Sequence, residues 1–224
     1  MKKFVILFGP PGSGKGTQVE RLEEDLGLPI VSPGALFRHE IENETELGKK
    51  IEPIVKSGKL VNDKTVEEIV AIKLKSNEIS RGAIFDGYPR RLTQQEFLLS
   101  LLEEIIDEKY KIFVALVDVD DEIIKGRLGG RRVCDCGDTI HIENNPSKVE
   151  GICDECGDEL YIRDDDKPEV IEERLHVYHK EVGPMLKYWE DRGELKKIDG
   201  SKDIDSVYTK LISYLKEEDF INND

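Results

Sequence analysis

The sequence predicts an α/β protein built on a five-stranded parallel sheet flanked by helices, with two segments inserted into the alternation. Three observations carry this. Five short apolar runs of strand length recur along the chain, stretches with helical periodicity separate them, and the first run ends in a glycine-rich loop of the form G-x-x-x-x-G-K. Strands separated by helices long enough to cross over pair in parallel.

The runs lie at 3 to 8, 28 to 31, 83 to 85 and 112 to 117, with a weaker one at 195 to 198. They are continuous rather than alternating, as expected of strands buried on both faces. Helical patterns occupy 14 to 26, 63 to 76, 93 to 107, 120 to 128, 168 to 192 and 203 to 217. Two segments break the rhythm: 31 to 63 promises short helices without a strand, and 130 to 166 holds cysteines, glycines and polar turns. The second carries eleven acidic and four basic residues and few large apolar ones, so it can hardly build a core unaided and calls for a metal staple. The expected division is core at 1–30, 64–129 and 167–224, with insertions at 31–63 and 130–166.

At 224 residues and 38% hydrophobic content, the chain suits one main domain with inserted pieces. No stretch approaches the roughly 20 apolar residues of a membrane helix. The start, Met1 to Phe8, runs into a glycine loop rather than a signal cleavage site, which predicts a soluble, cytoplasmic protein. A formal charge of −15 opposes attraction to nucleic acid or anionic membrane, so any anionic ligand needs a locally basic pocket. For the same reason a nucleic-acid-binding zinc ribbon is disfavoured: the segment around the cysteines would repel a phosphate backbone.

The loop after the first strand reads Gly9-Pro10-Pro11-Gly12-Ser13-Gly14-Lys15-Gly16-Thr17 and opens a helix. Glycines let successive backbone N–H groups turn inward around phosphate oxygens, the helix N-terminus adds its positive end, and Lys15 brings a mobile charge to the β and γ groups. Gly16 stands where many nucleotide hydrolases place a serine or threonine on magnesium, so Mg2+ must be held otherwise, through water.

Cys134, Cys136, Cys153 and Cys156 fall as C-x-C, sixteen intervening residues, then C-x-x-C. In a reducing compartment this grouping argues for a metal rather than two disulfides, and four thiolates suit tetrahedral Zn2+ best. Free thiols, oxidation or another metal are the alternatives. Gly137 and Gly157, each just after a cysteine pair, fit tight ligand-bearing turns. His141 is a substitute ligand or simply an exposed histidine. Four protein ligands leave no open position, so the metal would be structural, one per chain.

Onward from the loop, the chain resembles the adenylate kinase family over nearly its full length. The matching pieces are Gly9 to Thr17, Ser32-Pro33-Gly34-Ala35-Leu36-Phe37-Arg38, Gly58-Lys59-Leu60-Val61-Asn62-Asp63, Asp86-Gly87-Tyr88-Pro89-Arg90 with Gln94, Gly130-Arg131-Arg132, and Arg163-Asp164-Asp165-Asp166. Their order and spacing carry the resemblance. It implies the sheet of a P-loop nucleoside-monophosphate kinase, a monophosphate-binding insertion at 31–63 and the long, zinc-bearing lid at 130–166. It further implies ATP, ADP and AMP as ligands, Mg2+ with ATP, and a monomer.

By position in the family pattern, Arg38 and Arg90 hold the AMP phosphate, and Arg127, Arg131, Arg163 and Arg174 close with Lys15 on the transferring phosphates. Asp86 orients magnesium-bound water. Gly200 joins the ATP site with Arg127 and Arg131. Pro33, Leu60, Val61, Gly87, Arg163 and Arg174 join the AMP site, where Gln94 reads the adenine edge. Arginine suits such work because its planar fork grips phosphate oxygens bidentately and keeps its charge. Several neighbours depart from the family's usual residues: Pro33 stands for threonine, Ala35 for aspartate, Asn62 for proline, Tyr88 for phenylalanine and Arg91 for threonine, and the first cysteine knuckle is one residue short. These altered acceptor positions motivate a UMP or CMP kinase as the second reading. A non-catalytic nucleotide switch is the third, weakened by arginines that a mere binder would not need. Asp164 to Asp166 either pair with basic groups at the lid hinge or form a solvated acidic run, the plainer reading.

Overall fold

The computed structural model describes residues 1–106 and 109–221. Strand β1 (Lys2–Phe8) leads through the glycine loop into α1 (Lys15–Leu26) and β2 (Ile30–Val31). Two short helices follow, α2 (Pro33–Glu42) and α3 (Glu46–Lys56), then α4 (Asp63–Leu74), β3 (Gly82–Asp86), α5 (Leu92–Ile105), β4 (Tyr110–Asp118) and α6 (Asp121–Gly130). A small antiparallel pair, β5 (Arg131–Val133) and β6 (Thr139–His141), precedes α7 (Pro168–Asp191), β7 (Leu195–Asp199) and α8 (Ile204–Glu217). The main sheet is parallel with order β2-β3-β1-β4-β7.

Period-2 geometry divides the core. Phe4, Ile6 and Phe8 of β1 face one side, against Val70 and Leu74 of α4, Leu98 and Leu102 of α5, and Met185 and Trp189 of α7. Val5 and Leu7 face the other, against Val19 and Leu22 of α1 and Leu211 and Leu215 of α8. Helices therefore cover both faces, which is why the inner strands β1, β3 and β4 read as unbroken apolar runs. No helix among the described residues is long and apolar enough to cross a membrane.

The expected elements all form, with local differences in length. The run at 28 to 31 yields only a two-residue strand, because Pro29 has no N–H to give to the ladder. Its carbonyl still accepts from Ile84 N at 3.0 Å. The helix expected at 63 to 76 ends at Leu74, and the weak run at 195 to 198 is the edge strand β7. The last residue of the helix expected at 93 to 107 lies outside the described residues. All the parallel strands point their carboxyl ends to one edge of the sheet, where ligands of such folds bind.

Candidate active site

At that edge lies a cleft of about 1520 Å³. Every residue singled out above for nucleotide contact lines it except Pro10, whose carbonyl instead accepts from Lys15 Nζ at 2.9 Å. The glycine loop is shaped by close approach. At Gly12, with φ of 79°, a Cβ would sit 2.7 Å from Leu128 Cγ, and at Gly9 one would sit 2.7 Å from Val117 O. The loop is thus pressed onto β4 and α6. Gly14 caps α1 in the left-handed region with no side-chain hydrogen bond, so the first amides of this 12-residue helix face the cleft without a capping side chain.

Around the loop the chain gathers positive charge. Burial, reinforced by Arg90, Arg174 and Arg131 and opposed by Asp86, brings the Lys15 ammonium down to about 8. Arg163 is lowered to about 10 by burial and by the guanidiniums of Arg38 and Arg131. Burial lowers Arg38 and Arg90 as well, the latter also through Arg174. Arg90 Nε donates to Gly87 O at 2.7 Å. The forks of Arg38 and Arg90 converge over Gly34 at the start of α2: a Cβ there would lie 3.5 Å from Arg38 Nη1 and 3.8 Å from Arg90 Nη2. Two such forks over a bare helix N-terminus form a receptor for a phosphate dianion. Asp86, the acidic member, accepts from Ser32 Oγ at 3.1 Å.

Arg127 stands apart from this cluster. Its Nη1 and Nη2 reach Ser13 O and Ser201 O at 3.5 Å, and burial alone lowers it, with no neighbouring charge contributing. It therefore flanks the back of the glycine loop beside Gly200 rather than meeting Arg131, Arg163 and Arg174.

The acidic run at 164 to 166 divides by function. Asp166 is buried and holds Arg131 bidentately, at 2.7 Å from Nε and 2.6 Å from Nη2, while also accepting from Arg174 Nη1 at 3.0 Å. Asp165 pairs with Arg174 at 3.0 Å. Asp164 remains half-exposed between Lys56 and Lys167. For Asp165 and Asp166 the solvated reading is thus corrected: two partly buried guanidiniums need a counter-charge, and these carboxylates supply it.

The four cysteines come together with their sulfur atoms all within 4.8 Å of one another. Cys134 Sγ and Cys156 Sγ are 3.3 Å apart, and Cys136 Sγ and Cys153 Sγ 3.6 Å, far from the ~2.05 Å of a disulfide and near the ~3.8 Å edge of a tetrahedron with Zn–S of ~2.3 Å. The knuckles are quasi-symmetric despite their unequal lengths. Cys134 N donates to Asp138 O and Cys153 N to Asp158 O, while Gly137 N donates to Cys134 O and Gly157 N to Cys153 O. The missing residue shortens the first turn from five residues to four and leaves its hydrogen-bond frame in place. His141 is not part of the cluster. Its Nδ1 accepts from the N–H groups of Glu143 and Asn144, both at 3.1 Å, and its ring packs on Gly130, where a Cβ would lie 2.4 Å from Nε2. The substitute-ligand role is therefore replaced by one in packing the base of the hairpin.

The family model described as adenylate kinase matches residues 7–194. An adenylate kinase of Lachnospira eligens is 41% identical over 215 residues, covering 94% of this chain and 99% of that one. One from Agathobacter rectalis is 42% identical over 214 residues, covering 95% and 99%. One from Methanosarcina mazei is 40% identical over 211 residues, covering 94% and 97%.

Proposed function

The chain belongs to the adenylate kinase family, and we propose that the residues gathered in its cleft carry out that family's reaction in the following way. It is a phosphotransferase that moves a phosphoryl group reversibly between ATP·Mg and AMP, giving two ADP. The attacking group is a phosphate dianion, already nucleophilic near neutral pH, so the chemistry needs alignment and charge neutralisation rather than a general base. The observation that carries the assignment of residues is the convergence of Lys15 and five arginines, 38, 90, 131, 163 and 174, on one cleft in a chain of net charge −15.

On the donor side, the amides of Gly12 to Thr17 and the Lys15 ammonium hold the β and γ phosphates, with Arg127 and Gly200 at the nucleoside end. On the acceptor side, the forks of Arg38 and Arg90 take the AMP phosphate between Pro33, Leu60, Val61 and Gly87, and Gln94 meets the base. Arg131 and Arg174, anchored by Asp165 and Asp166, bear on the transferring group together with Arg163. When bound with ATP, magnesium supplies charge neutralisation at the phosphate oxygens. Asp86 is the carboxylate placed to orient its water, since Gly16 has no hydroxyl to offer.

The insertions at 31–63 and 130–166 act in this reading as the acceptor-binding unit and the lid over the donor, excluding water from the transfer. In the same reading the protein acts in the cytoplasm as a monomer, and its net negative charge argues against nucleic-acid or membrane partners.

Two measurements test the reading. A coupled assay with ATP and magnesium should give turnover with AMP at least about tenfold more efficient than with UMP or CMP: uracil presents N3–H and O4, the reverse of adenine's N1 and 6-amino group, and cytosine, though its N3 and 4-amino group repeat adenine's pattern, is a single ring too small to fill a purine site. A preference for either pyrimidine nucleotide would overturn the acceptor assignment. Metal analysis should find one zinc per chain, held by Cys134, Cys136, Cys153 and Cys156. Chelation should lower the thermal midpoint by on the order of 10 °C, because the binding free energy of a structural metal is folding free energy. Purified protein with no metal and an ordered lid would contradict the zinc assignment.

A further inference from the structure

Gln94 occupies the first turn of α5 and is only 2% exposed, yet it lines the acceptor end of the cleft. Its Oε1 accepts from Arg90 N at 2.8 Å and its Nε2 donates to Asp63 Oδ1 at 2.8 Å. The first contact alone has an ordinary explanation, a helix-start side chain reaching back to a free backbone N–H. The second does not, because capping needs no donor. A glutamate would cap equally well but would set its charge against Asp63, whereas glutamine satisfies both neighbours.

Asp63 is itself held from three directions. Besides Gln94, its Oδ1 accepts from Arg91 Nη1 at 2.7 Å, and its Oδ2 accepts from Thr93 Oγ1 at 2.7 Å. Arg91 is fixed in turn by Glu181 of α7, with Nε 3.2 Å from Oε2. Asn62 caps α4 through Thr65 N at 3.0 Å, which sets the turn on which Asp63 stands, and Tyr88 Oη donates to Gln94 O at 3.2 Å. Three positions at which the chain departs from its family thus act on this pair: Tyr88 on the backbone carbonyl of Gln94, Arg91 on the Asp63 carboxylate, and Asn62 on the turn that carries Asp63. Partial burial opposes ionisation of Asp63, but the bonds from Thr93, Arg91 and Gln94 outweigh it and hold the carboxyl below its ordinary value.

We propose that Asp63 is a positioning residue for acceptor recognition, locking the Gln94 amide in the one orientation that matches a 6-aminopurine. The logic is that of donors and acceptors. Turning the amide over would set NH2 against the Arg90 N–H and a carbonyl oxygen against a carboxylate. In the locked orientation each end of the amide keeps one valence, an N–H and an oxygen lone pair. Adenine presents the complement, N1 as acceptor and the 6-amino group as donor. A 6-oxopurine presents the reverse, N1–H and O6, and would need the turned amide. This rests on the reading above that Gln94 meets the acceptor base.

The experiment compares AMP and inosine monophosphate as acceptors in the full-length enzyme and in Asp63→Ala, Asp63→Asn, Gln94→Leu and the Asp63→Ala/Gln94→Leu double variant. Asp63→Ala should raise KM for AMP roughly tenfold and shrink the preference for AMP over inosine monophosphate by a similar factor, leaving kcat and KM for ATP within about twofold. Asp63→Asn should restore most of the preference, because its amide oxygen can still accept from Gln94 while its NH2 donates to Thr93 Oγ1. In the Gln94→Leu background the Asp63→Ala change should add less than about twofold. If Asp63→Ala does not fold, Arg91→Met with Thr93→Val, which removes two of the three groups restraining Asp63, should shift the preference in the same direction. A Gln94→Leu enzyme with unchanged AMP kinetics would defeat the underlying site reading. A sensitive Gln94 combined with an indifferent Asp63, or an Asp63 effect undiminished without Gln94, would overturn the proposal alone.

Discussion

Arg90→Ala is expected to lower kcat by about 10³-fold and to raise KM for AMP by about tenfold, with the fold retained. The size follows from what the side chain faces. Arg90 lies beside Arg174, and its Nε is engaged by Gly87 O, which aims the rest of the fork at the point over Gly34 where Arg38 also converges. A phosphate dianion between the two forks is neutralised by paired guanidiniums, and its nucleophilic oxygen is aligned by bidentate contact. Removing one fork takes away half of that charge and the alignment together. Arg90→Lys should recover little, because an ammonium cannot reproduce the planar pair of donors. The protein should lose little thermal stability, since the substitution removes one of several mutually repelling cations. Steady-state kinetics showing a loss under tenfold would contradict this role.

The arginine cluster also marks where sequence reasoning reaches and where it stops. The glycine loop was legible from residues alone because its parts are contiguous and each has a local reason: Gly9 and Gly12 for close approach, Lys15 for charge. The sheet was legible because burial on both faces leaves unbroken apolar runs, and only β2 came out shorter, at a proline. Arg38, Arg90, Arg131, Arg163 and Arg174 lie far apart along the chain, and their convergence could be expected only from the family resemblance. Spacing could not separate Arg127 from that group; the difference appears only where Ser13 and Ser201 meet its fork. Acidic residues were least legible. In a chain with 48 of them, nothing local marks Asp166 as the buried partner of two arginines or Asp63 as the anchor of an amide.

Lys15→Met should abolish turnover, by at least about 10³-fold, while making the ligand-free protein more stable at neutral pH. Burial and three guanidiniums bring the Lys15 ammonium from 10.5 down to about 8, so the folded protein without nucleotide holds this proton less tightly than the unfolded chain does. The sign is therefore that of a depressed group. Its contribution to stability is complete above pH 10.5 and is lost as pH falls through 8, so below that the buried charge costs on the order of 3 kcal/mol. Methionine removes this cost, so the gain in thermal midpoint over the parent should be largest near pH 7 and shrink toward pH 10. A bound polyphosphate reverses the local field and should return the ammonium toward its ordinary value. Binding a dinucleotide pentaphosphate that bridges both subsites at pH 8.5 should then draw in a large fraction of a proton. Calorimetry in buffers of different ionisation enthalpy reads that uptake directly, and it should vanish in Lys15→Met. Equal uptake by both proteins, or a variant less stable than the parent at pH 7, would mean that Lys15 is not the group poised against the phosphates.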